Sequence, residues 1–300
     1  MKTTLQRYTM KPGIIVMLAA AFIQNTMVLA QVPTSEEFYE SAVRLYEQKS
    51  YLGAIGQLDL AILDSREQRY FKLRGDCFLE TGRYESALAD YNYALRKEVS
   101  DSTMFLNRAV CKINLEMFDD ALMDIHKYLE KHPKSDKAFY YLAALEYLSW
   151  NYKGALDYLD IATSINDDMA EAHYLMGAVY GEQGKLDQAL EHYGIAYEIN
   201  PEFHRCMLNA AVLKLENGDA EAAADILEAL KFESHDFGQE LYYYLGEARL
   251  ALHDKDGACS EWQTAAAIGD SESALNYDVV CLGAKGEKAN KKQRLTRVTF

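Results

Sequence analysis

Five cysteines and seven histidines are the side chains of this 300-residue chain with chemistry beyond packing. Cys77, Cys111, Cys206, Cys259 and Cys281 are of a type that binds metals, attacks substrates or pairs as disulfides. A metal knuckle needs ligands on one helical turn or a CxxC step. No histidine stands four residues from another, and the chain has neither CxxC nor HExxH. It also lacks GxSxG, a phosphate loop and a calcium loop. No catalytic residue, metal site or cofactor is therefore expected, and the chain is not read as an enzyme. An enzyme or small-ligand binder with a site between repeats is kept only as an alternative.

The elements that carry these residues follow a ruler. Ala54, Ala87, Ala121, Ala155, Ala189, Ala223 and Ala258 are separated by 33, 34, 34, 34, 34 and 35 residues. Twelve residues before each stands a small residue: Ala42, Gly75, Ala109, Ala143, Gly177, Ala211 and Gly246. A fixed period of this length marks a helical repeat array. Within residues 170–203, Leu186, Ala189, Leu190, Tyr193, Ala196 and Tyr197 recur at the spacing of one helix face. Leu175, Met176, Val179 and Tyr180 do the same before them, and Gly184 between the two predicts a left-handed turn. The short link makes the helices antiparallel, with Gly177 and Ala189 allowing close approach.

These columns resemble the tetratricopeptide repeat family. In AEAHYLMGAVYGEQGKLDQALEHYGIAYEINPEF, residues 170–203, Met176-Gly177, Tyr180, Ala189, Tyr193 and Pro201 stand where that family has Leu-Gly, Tyr, Ala, Phe and Pro. The resemblance covers residues 35 to 270. It implies an all-α solenoid, a right-handed superhelix of about seven helix hairpins near 35–67, 68–101, 102–135, 136–169, 170–203, 204–238 and 239–270, closed by a capping helix at 271–283. Such hairpins cannot bury their apolar stripes alone and depend on their neighbours.

The capping helix is expected to run from Ser271 to Leu282. Cys259 lies eleven residues before Asp270 of the turn and Cys281 eleven after, which places them side by side on antiparallel helices. A disulfide pinning the cap is one reading of this pair, and two buried thiols is the other. Cys77, Cys111 and Cys206 read as small packing residues, and His173 and His192 as packing or surface residues of repeat helices.

The ends differ from the body. Lys2, Arg7 and Lys11, the apolar run Ile14–Ile23 and the small residues before Gln31 read as a signal peptide over 1–30, with the mature solenoid at 31–283. Export to the bacterial periplasm follows, with secretion or envelope attachment as alternatives. A membrane-surface tether, through an uncleaved N-terminal anchor or through a basic tail, is the runner-up. Residues 284–300 form a basic tail, read as disordered and suited to peripheral membrane contact or to the acidic body. The net charge is −15 despite those basic ends, which argues against nucleic acid as a partner.

What the resemblance implies about function is a scaffold or adaptor whose first helices line a concave face for a peptide or a partner's helix. Carrying the family's inward positions onto this chain selects Tyr39, Tyr46, Tyr140, Tyr147, Tyr174, Tyr243 and Glu247. Lys72, Asn107 and Lys137 match three of the five positions at which some members clamp a peptide carboxylate. Asp76 and Tyr141 stand where that clamp needs an amide and an arginine, so a true clamp is not expected. Partner identity and oligomeric state are not legible.

Overall fold

The computed structural model describes residues 33–96, 101–233 and 238–288. The expected signal peptide, and the tail beyond Lys288, lie outside them. The chain divides after Glu98 into two compact units. The first holds α1 (Ser35–Glu47), α2 (Tyr51–Asp64), α3 (Gln68–Glu80) and α4 (Tyr84–Ala94). The second holds α5 (Thr103–Asn114), α6 (Phe118–Leu129), α7 (Asp136–Leu148), α8 (Tyr152–Ile165), α9 (Ala170–Glu182) and α10 (Leu186–Ile199). It continues through α11 (Arg205–Glu216), α12 (Ala220–Glu233), α13 (Gly238–Ala251), α14 (Lys255–Ala267) and α15 (Ser271–Asn276), which a π-helical turn, Tyr277–Cys281, prolongs. The described residues contain no strand, and none of their helices is long and apolar enough to cross a membrane.

Consecutive helices pair as hairpins in each unit, and within a unit each hairpin packs on the next. In the second unit the first helices α5, α7 and α9 neighbour one another in turn, as do α11 and α13. The all-α architecture of stacked hairpins is thus the one the alanine ruler demanded. All seven alanines of the ruler are fully buried.

Each hairpin turns through one left-handed residue: Lys49, Gly82, Glu116, Trp150, Gly184, Gly218 and His253. The next N–H bonds back to the carbonyl five residues earlier, as Lys185 does to Tyr180 and Asn151 to Glu146. These bonds satisfy carbonyls that a helix end would otherwise leave open. Several starts are capped by side chains. Thr34 and Glu37 form a capping box, and Ser135, Asn151, Asp254 and Asp270 each accept an N–H of the first turn.

The small residue of the first helix has a more specific purpose than close approach. It faces the residue sixteen positions later, on the second helix. A Cβ on Gly177 would lie 2.6 Å from the Tyr193 ring, and one on Gly246 would lie 2.5 Å from the Trp262 indole. Gly75 faces Tyr91 in the same way at 3.0 Å. Where the small residue is Ala42, Ala109, Ala143 or Ala211, the residue sixteen on is Leu58, Ile125, Leu159 or Leu227. Every member of these pairs is buried. Glycine accompanies an aromatic ring and alanine an aliphatic chain, so the summed volume of the joint is kept.

The C-terminal cap departs from expectation. Instead of one helix to Leu282, α15 stops at Asn276 and the π-helical turn follows. The turn ends on Cys281, which lies beside Cys259 with Cα atoms 5.9 Å apart. Cys77, Cys111 and Cys206 are buried, as expected of packing residues. Burial pushes the thiols of Cys77 and Cys206 up to about 12, which suppresses their thiolate chemistry.

Candidate partner-binding face

The face offered by the first helices carries charge at its second positions. In the first unit Arg69 pairs with Glu36 across α1 and α3 and with Glu67, at 2.8 Å. Its guanidinium also lies 4.9 Å from the centre of the half-buried Tyr39 ring and 5.2 Å from that of Tyr70. In the second unit Arg205 of α11 pairs with Glu240 of α13 at 2.7 Å. Both pairs are solvent-screened and modest in energy, and they set register more than stability.

Lys72 does not stand ready for a carboxylate. Its ammonium lies 2.9 Å from Asp76, whose other oxygen accepts from the Tyr91 hydroxyl at 2.7 Å. Asn107 is half-buried on α5, while Lys137 is exposed at the start of α7. Lys137 lines a cleft of ≈ 240 Å³ with Asp136, Tyr140, Tyr141, Asp168 and Glu171. Glu247 on α13 accepts from Asn276 at 3.0 Å and pairs with Lys288, at the root of the basic tail.

The tyrosines divide in a way sequence reasoning did not foresee. Tyr39 and Tyr46 are half-buried, but Tyr140, Tyr147, Tyr174 and Tyr243 expose only 6%, 7%, 4% and 2%. As open contact surface these four are corrected: their rings fill the interior. Tyr174 packs 4.9 Å from Phe203 and 5.7 Å from Tyr193. The amide of Asn209 donates to the Tyr174 hydroxyl at 3.1 Å and lies 3.5 Å from that of Tyr193. The cause is the stacking itself, because a first helix has its own hairpin on one side and the next hairpin on the other. Burial pushes the Tyr174 hydroxyl up to about 12 and raises those of Tyr140 and Tyr147.

Three features escaped the sequence reading. Buried ion pairs join Arg74 to Asp90 and Arg108 to Asp124, sixteen residues apart in each case. His173 and His192 meet across α9 and α10 with Nδ1 atoms 3.2 Å apart. Trp150, 72% exposed, stands in a left-handed turn beside Tyr152. The signal for the first was an Arg–Asp column repeated 34 residues apart; for the other two no pattern within one helix existed. Among the described residues no group of three metal-ligating side chains converges.

Fold and face together define a protein of stacked helix-hairpin repeats with paired charges along its first helices. Two segments match models of the tetratricopeptide repeat, residues 39–103 and residues 170–203, so the chain carries repeats of that kind. It is similar to the Hsp70-Hsp90 organizing protein of Triticum aestivum, 22% identical over 47% of this chain and 27% of that protein. It is similar also to the U-box domain-containing protein 70 of Oryza sativa subsp. japonica, 26% identical over 71% of this chain and 25% of that protein. The chain thus spans about a quarter of the length of these curated relatives. Among solved structures, a tetratricopeptide repeat protein from Parabacteroides merdae superposes with a TM-score of 0.62 at 21% identity, over 80% of this chain and 95% of that one. That likeness is one of fold.

Proposed function

We propose that this protein is a non-catalytic scaffold or adaptor that binds another protein, as a peptide or a helix, on the face of its first helices. The observation that carries the reading is the run of neighbouring first helices α5, α7 and α9, which brings the cleft of Lys137 and Glu171 onto one continuous surface. Repeat arrays of this kind use such surfaces for extended ligands. The name of a relative called an Hsp70-Hsp90 organizing protein points the same way.

The test is cross-linking in the native host followed by mass spectrometry, with wild type beside a Lys137→Glu, Glu171→Lys double variant. A partner captured by wild type and lost from the double variant supports the reading. A partner held equally by both removes this face from it.

The setting we propose is the cell envelope, after removal of residues 1–30. N-terminal sequencing of a soluble periplasmic species should begin at Gln31. An intact chain found only with membranes would favour the tether instead. In that oxidising setting Cys259 and Cys281 are read as a disulfide, worth about 3 kcal/mol for a loop of this length. Intact-mass measurement after alkylation, with and without reductant, should show two cysteines becoming reactive only on reduction.

A further inference from the structure

We propose that Trp150, Tyr152 and Glu182, backed by the buried ring of Tyr147, form a corner that takes the charged head of a lysine or arginine side chain from the protein partner. The inference rests on the protein-binding reading above and adds the chemistry of what is bound.

The starting observation is a large exposed side chain at a position whose backbone does not call for one. Trp150 is held at φ 62° in the α7–α8 turn, with 72% of it exposed. The six equivalent turn residues are Gly82, Gly184 and Gly218, or the polar Lys49, Glu116 and His253. A side chain in the left-handed region costs about 1–2 kcal/mol relative to glycine. An indole left in water gains nothing by burial in return. The turn is nonetheless firmly built: the Trp150 N–H donates to the Tyr147 carbonyl at 2.9 Å, and the Asn151 amide donates to Glu146 at 2.6 Å.

Around it the rings converge. The Trp150 and Tyr152 centroids are 6.2 Å apart with planes at 66°, and Tyr147 lies 6.1 Å from Tyr152 behind them. Burial, and then the carboxylate of Glu182 at the end of α9, raise the Tyr152 hydroxyl above its usual range, so the two groups stand side by side. Aromatic faces beside a carboxylate are the standard recognition chemistry for an ammonium or guanidinium group. Partial burial raises the Glu182 carboxyl above its usual range, against the opposite pull of the Tyr152 hydroxyl. An incoming cation would offset that desolvation.

The same constellation occurs once more in the chain, in the first unit, and differs at one place. Tyr46 and Tyr51 are 5.5 Å apart, and the carboxylate of Glu80 stands beside the Tyr51 hydroxyl. These residues occupy the repeat positions of Tyr147, Tyr152 and Glu182. No other repeat has all three: the second has Leu79, Tyr84 and Asn114, and the third has Ile113, Phe118 and Leu148. At the place of Trp150 stands Lys49, with its N–H on the Tyr46 carbonyl at 2.8 Å. One copy thus carries a lysine of its own at the turn, and the other carries an aromatic face in the lysine's place.

The chain has two tryptophans, and Trp262 is fully buried, so its fluorescence response to added ligands reports chiefly on Trp150. Titration of the full chain with tetralysine should give a saturable change in emission, and tetra-acetyllysine should not. By calorimetry, Glu182→Gln and Trp150→Gly should each weaken tetralysine binding about tenfold, the loss of one cation contact. Glu80→Gln, in the first unit, should leave it unchanged. Trp150→Gly should also melt no lower than wild type, which separates lost binding from lost folding. Equal affinity in Glu182→Gln and wild type, or equal binding of the acetylated probe, overturns the proposal. A cellular partner captured equally by wild type and Glu182→Gln overturns it too, and leaves the broader protein-binding reading intact. Tetralysine binding with the predicted variant profile but no captured partner sinks the broader reading alone.

Discussion

Hairpins α5–α6 and α9–α10 have the same geometry and close it with opposite chemistry. In the first, Arg108 binds Asp124 through two bonds, of 2.7 and 2.6 Å, and Lys112 reaches the same carboxylate at 2.7 Å. In the second, the corresponding positions hold Met176, His192 and Tyr180. There the Tyr180 and His192 rings stack 5.3 Å apart at 13°. The small–large joint differs as well: Ala109 with Ile125 in one, Gly177 with Tyr193 in the other. The difference teaches that the fold prescribes a volume and a register at these columns, not a polarity. Charge is tolerated in a hairpin interior once each charged group has found its partner, and uncharged groups fill the same columns.

The largest effect expected is from Asp124→Ala, which would leave Arg108 and Lys112 without their shared carboxylate. It should cost about 3–5 kcal/mol in urea unfolding. His192→Ala, in the same column of the other hairpin, should cost distinctly less. If the two costs are equal, the contrast between the hairpins is cosmetic. Transplanting Met, Tyr and His together onto positions 108, 112 and 124 should recover most of the Asp124→Ala loss, because no charge is then left buried.

Next in size is Gly177→Ala. The added methyl meets the Tyr193 ring and should cost about 1–3 kcal/mol. Combined with Tyr193→Leu, which reproduces the pairing of Ala143 with Leu159, it should cost less than the two changes summed. A purely additive double variant would disprove the volume rule.

The smallest effect is one of pH. Burial, and then the neighbouring His173, lower the proton affinity of His192 below its usual 6.5. The unfolded chain therefore takes up that proton first, so the associated stability is complete above about pH 6.5 and falls as the pH drops below it. The groups around this ring are His173, Tyr180, Glu191 and Asp160. Hydrogen exchange at pH 7.5 and 5.5, corrected for intrinsic rates, should show hairpin α9–α10 loosening at the lower pH more than α5–α6. His192→Gln should abolish that difference.

Much of the architecture was legible before any coordinates. The buried alanines, the helix pairs and the left-handed Gly184 all followed from periodicity, because each depends on residues within one hairpin. The neighbourhood of Cys259 and Cys281 was reached by counting from the turn at Gly269 and Asp270. Counting could not reveal that the second helix of that pair would shift into a π-helical turn. The binding face was read less well. Tyr174 and Tyr243 occupy positions that family resemblance assigns to the ligand, yet neighbouring hairpins enclose them. Trp150 drew no notice, since a lone aromatic in a turn belongs to no helical pattern.

Taken alone, the order of residues determined that the chain would be helical, where its hairpins would turn, and which small side chains would be enclosed. Those properties come from interactions only a few residues apart, and the alanine and glycine columns record them directly. Packing of helix on helix decided which tyrosines remain within reach of a partner, which charges pair in the interior, and that His173 meets His192. Each of those outcomes is a contact between separate helices, made only when one helix settles at a particular rotation and height against another.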